Sequence, residues 1–285
     1  MEEIIYFNGS LVPFSQVRLS PLDYGFLYGY GVFETMRAYS GRIFRLEKHL
    51  ARLSRSAKFL GIDSEMDILH LEKAVYDTLR ANNLSEARIR LTLSGGEGET
   101  TPNLPTQGAP TMLIVARSYT PYPSQVYQQG FKAIVSHIRR NTQSPLSTLK
   151  SLNYLDSLLA RQEAKLAAAD EAVLLNEQGF LAEGSTSNIF LVSGNALLTP
   201  SEDSGILPGI TREVVLELAA SLSIKTMERK IALEELIQAD EAFFTNSLIE
   251  IMPFTQLSGQ KIGSGKAGTV TQRLTAAYQG LVKTI

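Results

Sequence analysis

Val32-Phe33-Glu34-Thr35-Met36-Arg37-Ala38-Tyr39 is a run of alternating, β-prone residues that stops at the turn Ser40-Gly41, and a second short strand follows. From Leu46 to Leu60 the apolar period changes: Leu46, Leu50, Leu53, Ala57 and Leu60 recur at helical spacing. A strand pair passing into an amphipathic helix marks a mixed α/β chain, and the pattern extends outward in both directions. Upstream, Ile4–Phe7 and 10–14 read as two strands around the hairpin turn Asn8-Gly9. Downstream, a second amphipathic helix fits 67–82, with strands at Ala87–Ser94 and 111–116.

Tyr119-Thr120-Pro121-Tyr122-Pro123-Ser124 carries two prolines in six residues, which favour extended backbone and disfavour helix. The domain boundary falls there, giving a small N-terminal α/β domain over 1–118, a linker over 119–125 and a larger C-terminal domain over 126–285. The second domain reads as strands at 131–138, Glu171–Asn176, 188–192, 226–229 and 242–245, with helices at 154–169, Ile210–Ser221 and Thr269–Val282. No repeat of fixed period is present, which excludes solenoids and propellers.

Composition narrows the function classes. The 285 residues are 44% hydrophobic and 20% charged, enough to build a core, and 27 basic against 29 acidic side chains leave a net charge of −2. Such a balance provides no long-range field for nucleic acid or anionic lipid. There is no cysteine, and the three histidines, His49, His70 and His137, are scattered, so thiolate chemistry and a histidine metal cluster are poorly supplied. The start of the chain is acidic and unlike a signal peptide, and no run of about 18 apolar residues suits a membrane span. A cytoplasmic protein is expected.

Several segments could carry chemistry. Lys150 lies between a predicted strand and a helix start, flanked by Leu149 and Leu152 with little charge nearby. Apolar surroundings destabilise an ammonium and leave the amine nucleophilic toward carbonyl carbon, although a lysine beside leucines also reads as a snorkelling surface residue. Glu183 precedes Gly184-Ser185-Thr186-Ser187-Asn188 and a strand. A buried carboxylate there needs a cationic or N–H partner, whereas a turn with local hydroxyl capping is the plainer alternative. Gly205-Ile206-Leu207-Pro208-Gly209-Ile210-Thr211 opens a helix whose first N–H groups suit an anion, as many helix starts do. Arg52, on the helix at Leu46–Leu60, could grip a phosphate in bidentate fashion or simply be exposed, and Thr245-Asn246-Ser247 ends a strand where such groups either meet a ligand or cap a loop.

Taken in order, these segments resemble the class IV, fold-type IV pyridoxal-phosphate enzymes: branched-chain aminotransferases, D-amino-acid aminotransferases, some amine transaminases and aminodeoxychorismate lyases. The likeness runs from Tyr28-Gly29-Tyr30-Gly31-Val32-Phe33-Glu34 through Arg37, His49-Leu50-Ala51-Arg52-Leu53 and Lys150 to Glu183-Gly184-Ser185-Thr186-Ser187-Asn188-Ile189-Phe190 and Gly209-Ile210-Thr211-Arg212. It implies a larger domain with a β-barrel-like core, pyridoxal 5′-phosphate in a cleft between the domains, and a homodimer whose subunits complete each other's sites. Under the resemblance Lys150 is the catalytic residue, forming the Schiff base with the cofactor and later moving a proton from the substrate Cα. Glu183 pairs with the pyridine nitrogen. Arg52, Ile210, Thr211 and Ser247 match phosphate-binding positions, and Thr186 and Tyr154 lie near the cofactor, Tyr154 one residue nearer the lysine than in branched-chain enzymes. Tyr28, Phe33, Arg37, Arg90 and Leu248 fall at substrate-binding positions.

Arg90 resembles the strand arginine of branched-chain enzymes, and the arginine that D-specific enzymes carry just after this strand is replaced by Gly95 or Gly96. Thr35 stands where branched-chain enzymes have glycine, and Lys150-Ser151-Leu152-Asn153 and Thr245-Asn246-Ser247-Leu248 are closer to the lyases. The expected reaction is transfer of an amino group between a branched-chain-like amino acid and a 2-oxo acid, with aminodeoxychorismate lyase as the alternative and D-amino-acid or (R)-amine transamination behind it. A non-enzymatic binding scaffold is a further alternative, against which the joint presence of Lys150, Glu183 and the phosphate positions counts. Residues 95–107 are expected to form a mobile loop bearing on specificity.

Overall fold

The computed structural model describes residues 2–62, 68–101, 103 and 109–284. The start of the expected helix at Asp67, and Pro102 and residues 104–107 of the expected loop, lie outside the described residues. The chain divides into two compact units, one of residues 1–120 with 149–153 and 285, the other of 121–148 with 154–284.

In the first unit β1 (Ile4–Phe7) and β2 (Ser10–Pro13) pair through Asn8-Gly9, whose φ angles of 45° and 95° are those of a hairpin turn matched to strand twist. A short helix, α1 (Tyr24–Tyr28), precedes β3 (Gly31–Tyr39) and β4 (Arg42–Ile43). Two helices, α2 (Leu46–Leu60) and α3 (Ile68–Ala81), follow, then β5 (Ala87–Ser94) and β6 (Thr111–Ser118). The sheet order is β2-β1-β6-β5-β3-β4, antiparallel throughout. Val32, Met36 and Ala38 of β3 and Ile89, Leu91 and Leu93 of β5 face one way, onto Leu50, Leu53 and Ala57 of α2 and Leu71, Val75 and Leu79 of α3. Phe33, Thr35 and Arg37 alternate to the other face, because successive strand residues point to opposite sides.

The glycine-rich approach to β3 forms α1, which the sequence reading does not include. Asp23 caps it, accepting from the N–H groups of Gly25 and Phe26, and Gly29 closes it in the left-handed region at φ 65°. The described part of the 95–107 loop is hydrogen-bonded to the segment around α1. Tyr24 N–H donates to the Gly96 carbonyl, Gly98 N–H to that of Leu22, and the Tyr24 and Tyr28 hydroxyls to those of Thr101 and Thr100, so residues 96–101 are fastened along that segment.

The second unit begins with α4 (Ser124–Gln129), so the proline-rich stretch is extended only up to Pro123, which then serves as helix N-cap. Next come β7 (Phe131–Arg140), α5 (Leu155–Leu166), β8 (Glu171–Asn176), β9 (Leu181–Gly184), β10 (Asn188–Ser193) and β11 (Ala196–Pro200). The remainder is α6 (Ile210–Ser221), β12 (Lys225–Arg229), α7 (Leu233–Ile237), β13 (Glu241–Asn246), β14 (Glu250–Leu257), β15 (Gln260–Lys261) and α8 (Thr269–Val282). The strands run β12-β11-β10-β13-β14-β7-β8-β9, with β15 beside β14, and the sheet curls so far that β9 returns next to β10 and β11. This curled half-barrel is the expected β-barrel-like core, filled by Val173, Leu181, Ile189, Leu191, Phe244 and Met252. Among the described residues no helix is long and apolar enough to cross a membrane.

Candidate active site

In the first unit the lysine segment is built onto β3. Phe33 N–H donates to the Lys150 carbonyl, Leu152 N–H donates to that of Gly31, both at 2.9 Å, and Val32 and Ser151 form an antiparallel bridge. Gly31 is required by the approach: a Cβ there would sit 2.7 Å from Leu152 Cδ1 and 2.9 Å from Ser94 Cα. The half-buried Lys150 reaches the Phe33 ring, its Nζ 4.7 Å from the centroid, and the Arg90 guanidinium lies 3.8 Å from the same centroid. Two cations therefore share one buried aromatic ring, a favourable contact with the ring quadrupole. The expectation of little charge near Lys150 is corrected by this geometry, since β5 brings Arg90 diagonally across from Phe33. Arg90 Nε also donates to Thr92 Oγ1 at 3.2 Å.

Arg37 is buried on the same face of β3, its guanidinium carbon 4.3 Å from the Tyr39 ring and 4.9 Å from that of Tyr119. Tyr28, at the end of α1, is held by its hydroxyl bond to Thr100. On the opposite face Glu34 is wholly buried, accepting from Arg52 Nε and Nη2 and facing His49 Nδ1, each at 2.7 Å. Arg52 is thus a buried residue of α2, in contrast to the exposed helical arginine offered as the plainer alternative. Burial pushes the Glu34 carboxyl up, but the charges and hydrogen bonds of Arg52 and His49 outweigh it and hold the group down at about 2. Burial pushes His49 down, against the pull of Glu34 and with help from the charges of Arg52 and Lys150.

The second unit carries the buried carboxylate. Glu183 lies on β9, 8% exposed, with Arg140 Nη2 3.2 Å from Oε1. Its Oε2 accepts the Leu207 N–H at 3.0 Å and the Asn188 amide at 3.5 Å. The hydroxyls that follow it do not cap it. Ser185 Oγ and N–H, Thr186 Oγ1 and Ser187 Oγ all donate to Glu171, a second buried carboxylate on β8. The local-capping alternative for Glu183 is corrected accordingly: the β8–β9 register brings Gly184 against Val173, which turns the hydroxyl loop toward Glu171.

Ile210 and Thr211 are buried in the first turn of α6, behind Gly209, which makes no side-chain cap. Helix geometry leaves the first N–H groups without an intrahelical acceptor, and the dipole favours an anion there. Gly209 is tight, since a Cβ on it would overlap Asn188 Oδ1. Directly opposite Asn188, in register on β13, Thr245 Oγ1 is buried without a hydrogen-bond partner. Asn246 ties two neighbouring loops together. Its amide donates to the Thr186 carbonyl at 3.0 Å and its oxygen accepts from Leu248 and Ile249, and the intervening Ser247 and Leu248 are half-buried. Tyr154, half-buried, directly precedes α5.

The donor set fits a phosphorylated pyridine aldehyde. An amine on an apolar ring suits the aldehyde, a buried carboxylate suits a protonated ring nitrogen, and a helix start with an orphaned threonine hydroxyl nearby suits phosphate. Sequence reasoning missed Arg140, which nothing in the spacing of the chain connects to Glu183.

A family model for amino-transferases of class IV matches residues 31–257, and the chain belongs to that family. It is a pyridoxal-phosphate-dependent aminotransferase, an enzyme that moves an amino group between an amino acid and a 2-oxo acid. A putative branched-chain-amino-acid aminotransferase of Methanocaldococcus jannaschii is 39% identical over 278 residues, covering 97% of this chain and 96% of the relative. An aminodeoxychorismate lyase of Bacillus subtilis is 36% identical over 282 residues, covering 98% and 95%. The crystal structure of the Escherichia coli branched-chain amino acid aminotransferase superposes with a TM-score of 0.95 at 32% identity, covering 99% of this chain and 95% of that one.

Proposed function

We propose that the enzyme exchanges amino groups between branched-chain-like amino acids and 2-oxo acids, working as a homodimer in the cytoplasm. The observation that supports the substrate reading is the pairing of Lys150 and Arg90 on the Phe33 ring, since a guanidinium close to a reactive amine suits a substrate that carries a carboxylate beside its amino group. Pyridoxal phosphate, when bound, supplies an electron sink for the charge that develops at the substrate Cα. Lys150 would hold the cofactor aldehyde through its amine and would serve as the base for the proton at the substrate Cα. Glu183 keeps the proton on the ring nitrogen. Ile210 and Thr211 bind phosphate through their backbone N–H groups, with Ser247 and with Arg52, whose guanidinium plane Glu34 fixes. Thr186 and Tyr154 line the cofactor. Arg90 takes the substrate carboxylate, and Tyr28, Phe33, Arg37 and Leu248 shape the side-chain pocket.

The lyase relative is nearly as similar as the archaeal branched-chain relative, at 36% against 39% identity, so the test must separate the two reactions. L-leucine, L-glutamate, D-alanine and (R)-1-phenylethylamine are offered in turn to the holoenzyme while the bound cofactor's absorbance and the oxo product are followed. Conversion by L-leucine and L-glutamate is expected. Inertness to all four, with pyruvate released from aminodeoxychorismate, would establish the lyase instead. Lys150→Ala should lower turnover by about 10²–10⁴-fold and abolish borohydride fixation of the cofactor; retained fixation would remove Lys150 from its role.

A further inference from the structure

We propose that Arg140 is the positioning residue for Glu183, and that the same guanidinium ties the carboxylate to the chain segments leading to Lys150 and to α6. The inference rests on the reading above that Glu183 meets the cofactor's ring nitrogen. Arg140 ends β7 and is largely shielded, with side-chain exposure of 16% against 11% for Glu183. Its Nη2 lies 3.2 Å from Glu183 Oε1 and donates to the Ser147 carbonyl, while its Nε donates to the Gly205 carbonyl at 3.1 Å. Ser147 closes the 3-10 turn Pro145–Ser147 just ahead of Lys150, and Gly205 opens the loop to α6. One planar cation thus touches three separate pieces of backbone or side chain through Nε and Nη2, whose fixed spacing in the guanidinium plane a point-like ammonium does not reproduce.

The other carboxylate oxygen is held from a different direction. Leu207 N–H donates to Oε2 at 3.0 Å, and the Asn188 amide, itself donating to the Leu207 carbonyl at 2.8 Å, approaches Oε2 at 3.5 Å. With Oε1 fixed by charge and Oε2 by amides, the carboxylate has one orientation. A shielded carboxylate deprived of its cation takes up a proton more readily, and a protonated acid is a donor where a ring N–H needs an acceptor. Arg140 therefore preserves both the direction and the charge of Glu183.

The test uses two ligands that differ only in the ring nitrogen. Apoenzymes of wild type, R140Q, R140K and E183Q are titrated with pyridoxal phosphate and with 1-deazapyridoxal phosphate, in which C–H replaces the nitrogen. The ratio of the two affinities reports the contact at that position alone, as a double-mutant cycle does. R140Q should lower the ratio by about tenfold, the worth of a hydrogen bond to a charged group. Equal weakening of both ligands, or of neither, would reduce Arg140 to a structural role and overturn the proposal. Should R140Q not fold, R140K, which keeps a cation but not the fork, is read by the same two outcomes. E183Q must lower the ratio at least as far; if it leaves the wild-type value, Glu183 does not meet the ring nitrogen, and that reading falls together with the proposal.

Discussion

Glu34 shows what a single residue can impose on the pH response. Its carboxyl is held at about 2, down from 4.5, so the stability it contributes is complete above 4.5 and is lost as pH falls toward 2. A shift of that size corresponds to about 3 kcal/mol. His49 acts in the same direction at a higher range. Its folded-state value lies below the usual 6.5, so the unfolded chain binds the proton first, and stability begins to decline as pH falls through 6.5. Denaturant unfolding between about pH 3 and pH 8 should therefore show a two-stage acid loss. His49→Gln should flatten the upper stage and Glu34→Gln the lower one, the latter at a cost of about 3 kcal/mol at neutral pH because the buried Arg52 guanidinium loses the negative charge opposite it. A single featureless slope in wild type would contradict this assignment.

At the level of elements, α6 and the strand beside it are coupled through one close approach. Gly209 accommodates Asn188 only because it lacks a side chain, and Asn188 in turn supports Glu183 and Leu207. Gly209→Ala should displace Asn188, lowering stability by about 1–3 kcal/mol and weakening pyridoxal phosphate binding, as measured by thermal unfolding and apoenzyme titration. Unchanged values for both would show that Asn188 yields without consequence. The elements differ in how well their sequence announces them. Leu46–Leu60, Ile210–Ser221 and Thr269–Val282 were legible to the residue because a periodic apolar stripe decides a helix locally. The strands Leu181–Gly184 and Glu250–Leu257 were not: both are buried on both faces and so lack alternation, and Pro253 interrupts the second just ahead of its register shift between Phe254 and Gln256. The same limit applies to the site. Motif spacing points to Glu183, Lys150 and the start of α6, while the partners of Glu183 come from β7, β10 and a loop far along the chain, and only tertiary pairing brings them together.

For the whole molecule, removing the cofactor should cost stability by mass action. At free pyridoxal phosphate about 100-fold above its dissociation constant the holoenzyme gains about 2.7 kcal/mol over the apoenzyme, which differential scanning calorimetry reads as a higher Tm. The gain should shrink in Lys150→Ala, which loses the covalent part of the attachment. Sedimentation velocity of the holoenzyme measures the proposed dimer, and a purely monomeric active species would count against it.

The lysine-bearing peptide also constrains how this protein can be cut or rearranged. Residues 149–153 are spliced into the N-terminal unit from the middle of the sequence that builds the other one, where they satisfy the Phe33 amide and the Gly31 carbonyl. A fragment ending at Thr120 would lack both that rung and the reactive amine. Split-enzyme reassembly, tag insertion and circular permutation should accordingly tolerate breaks at exposed turns such as Gly179 or Gly194, where added bulk meets nothing, and fail between Leu149 and Asn153.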